Sequence, residues 1–142
     1  MGVLRLLKYL ILCVYAMASG AFALDAMSIS AQTSGGKYYV EMIAPNPIPV
    51  NQICALRFKV SDSTNQKPVA QARISAHAWM PAHGHGTALQ PKFSQLGAGD
   101  TIGEGFLFQM EGRWEVQVSV LANGQLERAS FILDLSYEPN TH

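Results

Sequence analysis

Apolar and polar residues alternate along several short stretches of this chain, which is the pattern of β-strands with one buried and one exposed face. In ICALRFKV (53–60) every second residue is apolar, and two of the residues between them are basic. In RWEVQVSVL (113–121) Trp114 and three valines alternate with polar residues in the same way. After residue 27 the 3.6-residue period of an amphipathic helix is hard to find. The pattern predicts strands at 28–33, 37–43, 53–60, 72–80, 104–110, 113–121 and 128–135.

Turn-forming residues separate these predicted strands. Asn123-Gly124 is a strong signal for a two-residue hairpin because both residues readily adopt positive φ angles. Glu111-Gly112 predicts a second tight hairpin, which would join strands 104–110 and 113–121. We expect residues 81–103 to form a long loop, since glycine and proline recur there.

The number and length of the strands determine the predicted fold class. About seven short strands fall within fewer than 120 residues, and no long helix is present to cover a parallel sheet. Strands with one buried face suit two sheets packed face to face. The sequence therefore predicts an all-β, immunoglobulin-like β-sandwich, with a small barrel as the alternative.

The first 23 residues have the three-part pattern of a secretory signal peptide. Two basic residues precede an apolar run, and small residues follow that end in Ala21-Phe22-Ala23. The alternative is a retained membrane anchor at residues 9–24, but these 16 residues are fewer than the roughly 20 that a span needs. We expect cleavage after Ala23, export to the periplasm, and a single mature domain at 24–142. Membrane attachment is expected only if the signal segment is retained.

Charge and cysteine content limit the partners and the covalent cross-links that the mature chain can have. Residues 1–23 contain two of the ten basic residues and none of the ten acidic ones, so the mature chain has a formal charge of −2. It has no basic stripe, which argues against nucleic acid as a partner. Cys54 is the single cysteine left after cleavage, so no intramolecular disulfide can form. Its alternation with Leu56 and Phe58 predicts a buried structural thiol.

The candidate chemistry lies in WMPAHGHG (79–86). Met80, His83 and His85 fall within six residues at the end of a predicted strand, and Met110 ends another. All four reach the same end of a sandwich if the two strands run in the same direction. Soft thioethers and borderline imidazoles favour copper, especially Cu(I), over Mg²⁺ and Ca²⁺. Zinc sites rarely include methionine.

Other interpretations of these residues are open. The histidine pair suits a plain surface turn, because Pro81 and two glycines interrupt regular structure there. Met110 follows two phenylalanines on an apolar face, which is typical of a core residue. A zinc-binding or pH-sensing loop is a third interpretation. His77 lies inside an alternating strand and is better explained as a strand histidine than as a ligand.

Two longer segments carry a family resemblance. They are NQKPVAQARISAHAWMPAHGHGTALQPKF, which begins at Asn65, and GEGFLFQMEGRWEVQVSV, which ends at Val120. The pairing of Met-Pro-x-His-Gly-His-Gly with Phe-x-Met-x-Gly-x-Trp-Glu resembles the YtkA-like/FixH-like group of exported bacterial domains. The resemblance implies an immunoglobulin-like sandwich outside the cytoplasm and a link to copper or to the assembly of copper-containing respiratory complexes. Members often carry methionine after the second His-Gly, where this chain has Thr87.

These observations lead to two expectations about function. No nucleophile elbow and no glycine-rich phosphate loop is present, and the carboxylates are scattered singly, so we predict no catalysis. The first expectation is an exported copper-binding protein that captures or delivers the ion through Met80, His83, His85 and Met110. The alternative is a metal-free interaction module that docks on an exported or membrane-bound protein.

Overall fold

The computed structural model describes residues 25–137, which form nine strands in two antiparallel sheets. The strands are β1 (Ala26–Gln32), β2 (Tyr38–Pro45), β3 (Ile53–Asp62), β4 (Arg73–Met80), β5 (His85–Gly86), β6 (Lys92–Gly97), β7 (Asp100–Leu107), β8 (Gly112–Ala122) and β9 (Gln125–Leu135). One sheet has the order β1-β2-β3-β7-β6, and the other has the order β5-β4-β8-β9. The predicted signal peptide lies outside the described residues. Within residues 25–137 no helix has the length and apolar character needed to cross a membrane.

The core lies between the two sheets, as the alternating pattern predicted. Phe58 in the first sheet and Trp114 in the second have no exposed surface, and Val116, Val118 and Val120 continue the buried row along β8. The polar residues between these positions face outward. Burial of such side chains contributes about 1.5–3 kcal/mol each. The prediction of an all-β, immunoglobulin-like sandwich is confirmed, with two separate sheets where a barrel would close into one.

The connections match the sequence prediction at one turn and differ at another. Asn123 and Gly124 have φ angles of 50° and 71° and join β8 to β9. The hairpin predicted at Glu111-Gly112 is wrong, because β7 and β8 belong to different sheets. Residues 108–111 instead cross from one sheet to the other. Phe108 is the first residue of this crossing and Trp114 follows it in β8. Both are fully buried, so core burial directs the chain across the sandwich.

The segment 81–103, predicted to be a loop, contains two strands and the start of a third. β5 is only two residues long, and β6 is an edge strand whose residues are almost all exposed. An exposed edge strand has no apolar face to bury and therefore no clear alternation. β6 and β7 form a hairpin around Gly99, whose φ is 63°.

At the end of the sandwich where β8 turns into β9, a buried carboxylate links the two sheets. Glu127 of β9 is 7% exposed and accepts a hydrogen bond from Thr33 Oγ1 in the β1–β2 turn. The backbone N–H of Ser34 donates to the carbonyl oxygen of Arg128 at 2.8 Å. A side chain at Gly35 would collide with the Glu127 carboxylate. The β1–β2 turn is therefore fastened to β9 at this end.

Cys54 is buried in β3, as expected for a structural thiol, and burial raises its pKa from 9.0 to about 11. Below pH 9 the thiol is protonated in both the folded and the unfolded chain. Between pH 9 and 11 only the unfolded chain readily loses the proton, so ionisation favours unfolding. We expect the stability contributed by the protonated thiol to be lost progressively as the pH rises through this range.

The measurement is chemical denaturation of wild type and Cys54→Ala from pH 8 to pH 11. Tyrosine and lysine titrations are common to both proteins, so the difference between their unfolding free energies isolates the thiol. We expect the wild-type advantage to shrink above pH 9. A difference that stays constant up to pH 11 would contradict the buried-thiol assignment.

Candidate metal centre

A tight turn brings the two histidines back against the strand that precedes them. The carbonyl oxygen of Met80 accepts hydrogen bonds from the backbone N–H groups of His83 at 3.1 Å and Gly84 at 2.9 Å. Gly84 has a φ of 67°, which a residue with a side chain rarely adopts. The chain then forms β5, in which His85 pairs with Met80 and Gly86 pairs with Trp79. Directly paired residues point to the same face of a sheet, so His85 shares the inner face with Met80.

The imidazole of His85 rests on the aromatic core. Its centroid is 5.7 Å from that of Trp114, and the planes meet at 70°, an edge-to-face arrangement. Trp114 in turn contacts Phe108 with a centroid distance of 5.4 Å. The ring of the exposed His83 lies 5.8 Å from that of His85. Since nitrogen–metal bonds are about 2 Å long, two rings at this separation can share one ion.

The two methionines reach the same end of the sandwich from different segments. Met80 ends β4 and is 2% exposed, and Met110 lies in the 108–111 crossing and is half-buried against the core. The carbonyl oxygen of Met110 accepts a hydrogen bond from Trp114 Nε1 at 3.0 Å. We call this end, formed by residues 80–86 and 108–112, the site pole. It contains all four residues that the sequence singled out.

Gly112 makes room for the Met80 side chain. A Cβ atom at Gly112 would lie 2.6 Å from Met80 Cε, and the φ angle of Gly112 is 121°. The backbone conformation favours glycine here, and any side chain would also displace the terminal methyl group of Met80. The first residue of β8 therefore helps to set where the Met80 thioether group lies.

One polar residue of the site pole was not predicted from the sequence. The Gln109 side chain donates from Nε2 to the carbonyl oxygen of Gly86 at 2.9 Å and accepts at Oε1 from the backbone N–H of Ala88 at 3.2 Å. The same Nε2 lies 3.3 Å from Nδ1 of His85. A single glutamine within the predicted strand 104–110 carries no motif, so only the fold shows that it reaches the histidine loop.

His77 and Cys54 are not part of this cluster on the inner face of β4 and β5. His77 lies three residues before Met80 and is exposed on the outer face of β4. Cys54 belongs to β3 in the opposite sheet, where it pairs with Phe106. The sequence preference for a strand histidine and a structural thiol agrees with these positions.

The candidate donor atoms at the site pole are soft thioether sulfurs and borderline imidazole nitrogens. Residues 25–137 contain no group of three or more histidines, cysteines and carboxylates arranged to hold a metal ion. A centre here would therefore depend on the His83–His85 pair with thioether sulfur, and not on carboxylate oxygen or thiolate. Such a donor set fits copper better than calcium, magnesium or structural zinc.

The segment from β2 to residue 119 of β8, which includes the site pole, matches a known sequence family. The YtkA-like family model matches residues 36–119, which is more than half of the chain. The chain therefore belongs to the YtkA-like family. Comparisons with curated proteins and with solved structures give no significant match.

The role of Gly112 can be tested by substitution. We expect Gly112→Ala to lower the free energy of unfolding, because alanine is strained at a φ of 121° and its Cβ collides with Met80. The backbone strain alone costs about 1–3 kcal/mol. The measurement is urea denaturation of the variant beside wild type.

Gly105→Ala is the matched control for this test. Gly105 also has a φ well above that of the left-handed helix, 97°, but an added Cβ would make only ordinary contacts, the nearest at 3.8 Å from Pro91 Cα. We expect a smaller loss from this substitution than from Gly112→Ala. Equal losses would show that the contact with Met80 adds nothing to the backbone strain.

Proposed function

We propose that this protein is an exported copper-binding protein that captures Cu(I) and delivers it to an exported or membrane-bound acceptor. Met80, His83, His85 and Met110 are the proposed ligands, and the sandwich is a rigid frame for them. The observation that carries the proposal is the pair of imidazoles 5.8 Å apart, of which His85 packs against Trp114, at the pole that also holds both methionines.

The burial of the ligands supports capture combined with release. Met80 is almost completely buried, His85 and Met110 are half-buried, and His83 is exposed. An ion bound by this set would have one ligand facing solvent, where an acceptor can replace it. The soft donors favour Cu(I) over Cu(II), and Thr87 supplies no additional thioether.

The proposed function also includes a compartment, a class of acceptor and a non-catalytic role. The signal-peptide pattern of residues 1–23 supports the periplasm as the working compartment. Copper respiratory enzymes under assembly are the class of acceptor that the family resemblance suggests. The proposed role is binding and transfer of an ion, without catalysis of a reaction.

A second candidate function is a metal-free interaction module. The observation in its favour is the run of exposed residues at 81–84, which projects from the site pole next to the half-buried His85. In this role the histidine loop would be a recognition surface and Met110 a core residue only.

Copper binding is tested by titration of the mature protein with Cu(I) in competition with a chromogenic chelator. We expect one equivalent to be retained by wild type and lost by the double variant His83→Ala/His85→Ala. His77→Ala is the matched control, since this histidine is exposed on the outer face of β4, away from the cluster. Equal retention by wild type and the double variant would reject the site.

The role of Met110 separates the two candidate functions. Met110→Leu roughly conserves volume, so we expect a change in unfolding free energy below about 1.5 kcal/mol. Loss of a thioether ligand should nevertheless weaken Cu(I) binding by about tenfold, which corresponds to about 1.4 kcal/mol. Met27→Leu is the control, because Met27 is also partly buried against the core but lies on β1. Unchanged Cu(I) affinity in Met110→Leu would assign Met110 to the core alone.

A further inference from the structure

The Gln109 side chain connects the crossing between the sheets to the histidine loop. It is half-buried, and its amide makes hydrogen bonds with the backbone of Gly86 and Ala88. Gly86 and Ala88 are the first and third residues after His85. The amide therefore fixes the path of the chain immediately after the histidine.

The two backbone partners determine which way the amide points. The Ala88 N–H can only donate, so it requires the Gln109 oxygen. The Gly86 carbonyl can only accept, so it requires the Gln109 nitrogen. With the amide in this orientation, Nε2 is the atom that lies 3.3 Å from His85 Nδ1.

These contacts place one nitrogen of the His85 ring against the protein. Nδ1 lies 3.1 Å from the carbonyl oxygen of Gly86 and 3.3 Å from Gln109 Nε2. Within residues 25–137 the other nitrogen, Nε2, has no hydrogen-bond partner among these side chains and backbone groups. Nε2 is therefore the nitrogen that is available to an ion.

The two contacts of Nδ1 correspond to two tautomers of the neutral ring. When Nδ1 carries the proton, it donates to the Gly86 carbonyl, and Nε2 keeps a lone pair that a metal ion can use. When Nε2 carries the proton, Nδ1 accepts from Gln109, and Nε2 cannot bind a metal. Metal-binding histidines usually donate their second ring N–H to a carbonyl or carboxylate, which fixes tautomer and orientation.

We propose that Gln109 is a positioning residue for the copper site: by holding the Gly86 carbonyl beside His85 Nδ1, it makes Nε2 of His85 the atom that binds the ion. This inference rests on the proposed function, since it concerns the same site. Ion binding selects the tautomer with the proton on Nδ1, and the ring rotates little because the carbonyl that accepts this proton is already in place.

The test combines nuclear magnetic resonance of the histidine rings with Cu(I) titration of Gln109→Leu. Ring ¹⁵N and ¹³C shifts report which nitrogen carries the proton and which binds the diamagnetic Cu(I) ion. In the copper-loaded wild type we expect His85 to be protonated at Nδ1 and bound through Nε2. In Gln109→Leu the Gly86 carbonyl is no longer held beside Nδ1, so we expect an affinity about 10–100-fold lower.

Two further variants separate positioning from a general loss of structure. Gln95→Leu removes a comparable bond, from Gln95 Nε2 to the Ala70 carbonyl at 3.2 Å, and should leave the His85 signals unchanged. Gln109→Glu keeps an acceptor for the Ala88 N–H but turns a second oxygen toward Nδ1 and the Gly86 carbonyl, so it loses the bond that holds this carbonyl. The carboxylate can itself accept the Nδ1 proton in place of the carbonyl, so this variant should keep Nε2 as the ligand and bind Cu(I) more tightly than Gln109→Leu.

The outcomes distinguish this inference from the proposed function. If wild type and the double histidine variant retain copper equally, or if wild type binds none, the copper site is rejected and the role of Gln109 with it. If wild type binds Cu(I) through the histidines and Gln109→Leu binds it equally well with Nε2 still the ligand, only the positioning role is overturned.

Discussion

The burial of Trp114 is the interaction on which the rest of the site pole depends. Its indole packs against Phe108 from the crossing segment and against His85 from the histidine loop, while its N–H donates to the carbonyl oxygen of Met110. One fully buried side chain thus contacts both the crossing segment and the histidine loop, which are more than twenty residues apart in the sequence. Removing it would leave a large cavity and would also release the two segments that carry the proposed ligands.

This arrangement explains how donors from different parts of the chain gather without a dedicated loop structure. β4 and β8 are antiparallel neighbours, so the end of β4 and the start of β8 lie side by side. The crossing at 108–111 leads directly into β8, which brings Met110 to the place where Met80 already lies. The opposite end of the sandwich is closed differently, by the Glu127 carboxylate and the β1–β2 turn. The half-buried and exposed side chains proposed as ligands lie at the site pole, away from this fastened end.

Much of the fold follows from the sequence because alternation directly reports a sheet with one buried face. The buried row of β8, the Asn123-Gly124 hairpin and the two-sheet class were predicted in this way. The Glu111-Gly112 prediction failed for a physical reason: turn residues reverse or redirect a chain, but they do not say which sheet the next strand joins. That choice is made by the burial of Phe108 and Trp114. β6 was missed because an exposed edge strand has little apolar patterning.

For the candidate site, the sequence identified the residue types, and the structure showed which side chains and backbone groups contact them. The spacing of Met80, His83 and His85 and the position of Met110 predicted one pole, provided that their two strands run in the same direction. Gln109 could not be found in this way, since its relation to His85 exists only across the gap between the crossing and the loop. The orientation of an imidazole likewise depends on backbone atoms, which have no signature in the sequence.

The contact between Met80 and Gly112 has a consequence for how this protein can diverge. The methyl group of Met80 occupies the volume that any side chain at 112 would need, and the backbone at 112 has a conformation suited to glycine. The two positions are therefore not free to vary independently. A homologue that gains a side chain at the position of Gly112 must shorten or redirect the residue at the position of Met80. Such a chain would keep the sandwich but move or lose the Met80 sulfur, so the residues at these two positions separate relatives that can keep this proposed donor in place from those that cannot.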